Sequence, residues 1–247
     1  SQAGGNIYQR LSRYVGQKAT DGTPLAPEKT EFIVFDAHVA SPDGTVSETL
    51  PGDTKSEVTR FIADHPEMRV LYLTHSYQEA PTSGRVKRDV TNVALSRIAT
   101  LPTDASDVAV IADNGTGNTI AETYIASAVD AFDQNPSLDM VSGSYELPQK
   151  AYEEFPLLFA QHRAFELMDS LVRHGDTAGV PGVYSGNIAT KAGSLAAVGG
   201  YNPDTRIAED REMAWMIHTA RGSSDTTTVL PTMTATIDPT ETVYAHL

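Results

Sequence analysis

A chain of 247 residues with 40% hydrophobic residues can build one sizeable core, and it reads as a single domain over 1–247. Its formal net charge of -14 repels phosphate backbones, which speaks against a general nucleic-acid binder. The lack of cysteine excludes disulfides, thiolate zinc sites and cysteine nucleophiles, and no apolar run is long enough to span a bilayer.

Strand-like and helix-like stretches alternate along the chain. Residues Asn6 to Gln17 read as an amphipathic helix with Ile7, Leu11, Tyr14 and Val15 on one side. After a loop carrying Gly22, Pro24 and Pro27, the run Phe32-Ile33-Val34-Phe35 suits a buried strand that ends at Asp36. Asp53 or Thr54 can cap a helix reaching about His65, and Arg69 to Thr74 is the next strand. Gly84 opens a basic stretch that becomes a helix. Asp107 to Ala112 is a third buried strand. A helix over Glu122 to Phe132 and a strand over Leu138 to Val141 follow. A longer helix is predicted over Phe155 to His174, a strand over Tyr184 to Ala189 and a helix over Glu209 to His218. Val229 to Leu230 and Thr234 to Ile237 read as late, exposed strands. This order predicts an α/β sandwich with a mainly parallel central sheet, in which ligands bind beyond the carboxyl ends of the strands. Asp36 and Asp113, each directly after an apolar run, are then expected on the same sheet edge.

Four constellations can carry chemistry, and each has a structural reading beside it. Asp113 at the end of its strand, followed by Asn114 and Gly115, can hold a hard divalent cation on a carboxylate. Asp-Asn-Gly is equally a turn sequence, and taken alone the turn is the stronger reading. Glu209 and Asp210 open a helix, where acids answer the helix dipole or where one of them serves as a general base. Gly186-Asn187 and Val198-Gly199-Gly200-Tyr201 allow sharp turns and close backbone approach to a ligand, or form a plain loop. Gly84, Arg85, Lys87 and Arg88 put positive charge at a helix N-terminus, suited to phosphate or to a solvated surface.

The order and spacing of these runs resemble the GT-A glycosyltransferases, family 2 in particular. The resemblance is carried by the strand ending at Asp36 with Asp43-Gly44-Thr45 after it, by Gly84 leading to Asn92-Val93-Ala94-Leu95, and by Asp113 at the place of an Asp-x-Asp motif. Tyr124, Phe132, Asn135-Pro136 and Val141-x-Gly143 come next, followed by Gly186-Asn187 and Gly199-Gly200-Tyr201. Glu209-Asp210-x-x-Met213-Ala214-Trp215 is the most specific run.

The resemblance implies a Rossmann-like GT-A α/β/α sandwich with a nucleotide-binding half, 1–110, and a metal, acceptor and catalytic half, 111–247. It implies inverting hexosyl transfer from a UDP- or GDP-sugar to an acceptor hydroxyl, with Mn2+ or Mg2+. Asp36, Asp43, Gly84, Arg85, Lys87, Arg88, Asp113 and Asn114 would meet the donor, with Asp113 also on the metal. Asp210 would be the base, with Glu209 beside it. Gly186, Asn187, Gly199, Gly200, Tyr201 and Trp215 would face a carbohydrate or small-molecule acceptor. Along the helix of 155–174, His162 and Arg163 are the candidates for acceptor contact. A cytoplasmic location is expected, with any membrane association through regions outside this chain.

Three positions depart from the pattern. The Asp-x-Asp motif has one carboxylate, since Ile111 and Gly115 flank the register. Asp36 is followed by Ala37-His38 rather than a second acid. The family's first strand would precede Asn6, where only Ser1 to Gly5 stand. A binding or regulatory protein on the same fold is therefore a second reading. A nucleotidyltransferase is a third, but it needs a glycine-rich phosphate loop near the N-terminus, and none is visible.

Overall fold

The computed structural model describes residues 7–40, 54–113, 119–146, 187–222 and 226–236, with 153, 160 and 164 as isolated positions; Asp113, Tyr145 and Glu146 are described by backbone alone. Helix α1 (Ile7–Ser12) is followed by β1 (Glu31–Val39), α2 (Thr54–Asp64), β2 (Arg69–Tyr77) and α3 (Ser83–Ile98). Then come β3 (Ala109–Asp113), β4 (Thr119–Ile120), α4 (Tyr124–Gln134) and β5 (Met140–Glu146). The described chain continues with β6 (Asn187–Lys191), α5 (Ala192–Ala197), α6 (Glu209–Arg221) and β7 (Thr227–Thr236). The expected helix over 155–174 lies outside the described residues apart from positions 160 and 164.

The strands form two sheets. β1 and β2 pair in parallel, Glu31 opposite Arg69 through Val39 opposite Tyr77. The larger sheet has the order β3-β6-β5-β7-β4. Only β5 and β7 are parallel within it; the other three pairs are antiparallel. The expectation of a mainly parallel sheet is corrected here. β6 lies between β3 and β5, antiparallel to both, and hydrophobic periodicity does not encode strand direction. Asp36 also does not end its strand, which runs on to Val39, and it belongs to a different sheet from Asp113.

The late strands are one strand, and it is interior rather than exposed. β7 lies between β5 and β4, with Met233 at 0% and Ala235 at 5% exposure. Pro231 cannot donate a ladder hydrogen bond, and the register with β5 slips here, between Gly143 and Ser144. The strand backbone then runs so close that a Cβ on Gly143 would overlap the Met233 carbonyl and the Asn187 amide.

Alternation along the strands sends side chains into two layers. Val141 and Ala189 join Tyr124, Ile125, Ala128 and Phe132 of α4 and its start. Their neighbours Met140 and Ile188 point the other way, to Leu195, Met213, Ala214 and Ile217 of α5 and α6. This is an α/β/α sandwich. α1 and α2 cover β1 and β2 through Leu11, Val58, Phe61 and Val34, and Phe32 touches both this cluster and that of α4.

Candidate functional site

The site is built from three stretches far apart in sequence. α3 begins at Ser83 with Thr82 as its cap, whose hydroxyl accepts from the Arg85 N–H at 3.0 Å. Gly84, Lys87 and Thr91 fall at helical spacing on one face, which turns inward; Gly84 and Thr91 are buried. Against this face lies the loop after α5. Gly199 and Gly200 both take left-handed backbone, φ 79° and 76°, ending α5 and reversing the chain so that Tyr201 enters the core at 3% exposure. The Gly84 N–H donates to the Thr205 carbonyl at 3.0 Å, and a Cβ on Gly84 would overlap the Asn202 carbonyl. The Thr82 hydroxyl donates to the Pro203 carbonyl, Ser83 Oγ to that of Arg206, and Arg88 Nη1 to that of Tyr201.

The loop ends at Ala208, the one described non-glycine residue with positive φ, at 62°. That turn starts α6 with Glu209 and Asp210 directed inward, at 6% and 1% exposure. Lys87 Nζ meets both carboxylates, Glu209 Oε1 at 2.7 Å and Asp210 Oδ2 at 2.5 Å, and its side chain is only 12% exposed. It also stands 5.5 Å from the centre of the Tyr201 ring. Burial pushes Glu209 up, but the Lys87 ammonium and hydrogen bonds from its own backbone and from Ser83 outweigh this and hold its carboxyl below the ordinary value. The Tyr201 phenol is pushed well up, first by burial and then by the charge and hydrogen bond of Asp210 and by Glu209. Asp210 Oδ1 is buried and has no hydrogen-bond partner among the described residues. The cluster thus holds one cation, two carboxylates and a buried phenol, with the positive end of α6 beneath them.

Three of the four sequence constellations meet here: the basic stretch, the double glycine with Tyr201, and the acidic pair. Within the basic stretch, Gly84, Lys87 and Arg88 make internal contacts, whereas Arg85 is 56% exposed and 3.7 Å from Asp89. Trp215 sits on the outer side of α6 at 55% exposure, with Ile207 ahead of the helix at 85%. Asn187 is fully buried beside Asp113 in the ladder. Its Oδ1 accepts from the Tyr124 hydroxyl at 2.7 Å, and its Nδ2 donates to the Ser144 carbonyl at 2.9 Å. Asp36 makes its contacts within the β1–β2 sheet, accepting from the Tyr72 hydroxyl at 2.8 Å and lying 3.3 Å from His38 Nε2. Asp43, Asn114, Gly186, His162 and Arg163 lie outside the described residues.

The partners of Lys87 and Asp210 were not legible in the sequence. One signal was present: position 87 shares a helical face with Gly84 and Thr91, which makes it an inward-facing lysine and not a solvated one. Asp139 was missed altogether, and it anchors a second buried carboxylate site. Asp139 Oδ1 accepts from Ser194 at 2.5 Å and from Arg221 Nη2 at 2.7 Å, and its Oδ2 accepts from Arg221 Nε at 2.9 Å.

Among the described residues no group of three histidine, aspartate or glutamate side chains is placed to hold a metal ion. Asp113 brings its backbone to the end of β3, opposite Asn187, without a second carboxylate in the ladder beside it. The described residues therefore do not form a metal site by themselves. No described helix is long and apolar enough to cross a membrane.

An α/β/α sandwich of this layout is the fold of the GT-A glycosyltransferases. The solved structure of the mannosyltransferase PcManGT from Pyrobaculum calidifontis, in complex with GDP-Man and Mn2+, is similar with a TM-score of 0.58 at 19% sequence identity. The likeness covers 93% of this chain and 52% of the other, so the chain spans about half the length of that protein. No protein-family model matches the sequence, and no curated protein matches it.

Proposed function

We propose that this chain is a glycosyltransferase domain that moves a hexose from a nucleotide sugar to an acceptor hydroxyl with inversion at the anomeric carbon. The observation that carries the reading is Asp210: a buried carboxylate with one oxygen held by Lys87 and the other unpartnered, on a fold shared with a mannosyltransferase that binds GDP-Man. An acceptor hydroxyl reaching Oδ1 would give its proton to that oxygen as its own oxygen attacks the anomeric carbon and the nucleoside diphosphate leaves. Glu209 shares the Lys87 ammonium and keeps the pair of acids in register. The resemblance gives the donor a guanosine or uridine diphosphate, Asp36 and Arg85 as contacts to it, and Asp113 as the one protein carboxylate for Mn2+ or Mg2+. Such an ion would neutralise charge on the leaving diphosphate. The chemistry assigned here to the chain itself runs through Asp210.

Thermal unfolding with GDP, UDP, GDP-mannose and UDP-glucose, each with and without Mn2+, tests the reading. Stabilisation by one nucleotide only when Mn2+ is present is the expected result. A folded protein that shifts with none of them would favour the second reading, a fold-sharing protein without transfer, which the single carboxylate of the Asp113 motif supports.

A further inference from the structure

The sequence offers Lys87 to a phosphate; its surroundings give its charge elsewhere. We infer that Lys87 is a positioning residue for Asp210 and not a ligand of the donor, an inference that rests on reading Asp210 as the base. An ammonium has three donors and no acceptor. Two of them are directed at carboxylates, at 2.7 and 2.5 Å, and the ring of Tyr201 covers the group at 5.5 Å. If Lys87 turned to a diphosphate, Glu209 and Asp210 would remain at 6% and 1% exposure without a cation, which is the costly half of breaking any buried pair. Among the described residues, the titratable groups facing Lys87 are Glu209 and Asp210 from α6 and Tyr201 from the loop. The neighbouring Glu212 is engaged by Asn202 and Thr205 instead.

The asymmetry within Asp210 gives the pairing its use. Lys87 occupies Oδ2 and fixes the carboxylate plane, so Oδ1 is the oxygen with capacity for a proton. A lysine in this place directs a hydroxyl to one oxygen of the base and holds that carboxylate in a fixed orientation inside the core. Arg85, exposed on the same helix turn, is the cation of the stretch with room for an anion.

The test compares the parent with K87Q, K87R, D210N and K87Q/D210N. GDP is titrated calorimetrically in the presence of Mn2+, turnover of GDP-mannose is measured, and thermal unfolding supplies a double-mutant cycle. K87Q is expected to leave the GDP Kd within about threefold of the parent and to lower kcat roughly 100-fold with the donor KM little changed. K87R should regain part of kcat. K87Q should lower Tm by on the order of 5 °C in the parent and clearly less beside D210N, because one buried carboxylate no longer needs its counter-charge. If K87Q fails to fold, rescue of folding by D210N supports the pairing and absence of rescue counts against it. A GDP affinity about tenfold weaker with kcat spared, or equal Tm losses in both backgrounds, overturns the inference. A folded parent that binds neither GDP nor UDP and turns over neither GDP-mannose nor UDP-glucose defeats the transferase reading instead; the unfolding cycle then decides the Lys87–Asp210 assignment by itself.

Discussion

Asp139 and Asp210 are each 1% exposed, and they are opposites in chemistry. Asp139 is saturated: Arg221 grips both of its oxygens in a fork and Ser194 adds a third donor. Arg221 responds with a pKa raised above its ordinary value, through the hydrogen bond and the charge of Asp139. Asp210 has one lysine shared with a second acid, the Tyr201 phenol close by, and one oxygen, Oδ1, with no partner among the described residues. A buried acceptor left open costs about 1–3 kcal/mol, so an arrangement of this kind persists where a ligand group completes it. Asp139 is thus the buried acid whose partners tie β5 to α5 and α6, and Asp210 is the one that the proposed function gives to an acceptor hydroxyl.

The largest expected contrast comes from converting each acid to its amide. D210N should keep GDP binding and lose transfer by roughly 10³-fold or more, while stability changes by less than about 1 kcal/mol, because one of two acids sharing a single cation is neutralised and Lys87 keeps Glu209. Transfer at the parent rate would remove Asp210 from the role of base. D139N should do the reverse: it weakens two charge-assisted bonds to a half-exposed arginine and should cost about 2 kcal/mol in chemical denaturation with GDP affinity unchanged.

In the interior of β5, G143A provides a reference for pure packing. Its added methyl would overlap the Met233 carbonyl and the Asn187 side chain, so a loss of about 3 kcal/mol is expected. A Tm within about 1 °C of the parent would show that β7 can shift at its bulge without penalty.

The smallest effect separates the sites by pH. Glu209 has a carboxyl below its ordinary value, so the folded state binds its proton less readily than the unfolded chain does. The stability it contributes is therefore full above the ordinary glutamate range and is lost as pH falls through the depressed folded value. Comparing E209Q with the parent, a gap of about 1 kcal/mol at neutral pH should close under acid conditions. A gap that stays constant with pH would mean that Lys87 does not favour the ionised Glu209.

Much of the element order was legible because it depends on local period and on punctuation. Phe32 to Phe35, the helix from Gly84 and the acids at Glu209 and Asp210 announced a strand, a helix and a helix start within a few residues of where they stand. The layering also followed, since neighbouring residues such as Met140 and Val141 must face opposite sides of a strand. The direction of β6 was not legible, nor was the merging of two late segments into one interior strand. Both depend on partners supplied from elsewhere in the chain.

The site divides in the same way. The sequence alone determined which groups are available: one acidic pair at a helix start, one basic stretch, two adjacent glycines able to take positive φ, and no thiol. Only the tertiary structure decided that these groups meet, that Lys87 is turned to Asp210, and that one carboxylate oxygen is left without a donor. The reason is physical. Residue type and helical period act over a few positions, whereas the ionic partner of a buried charge is chosen by whichever chain segment packs against it, here 123 residues away.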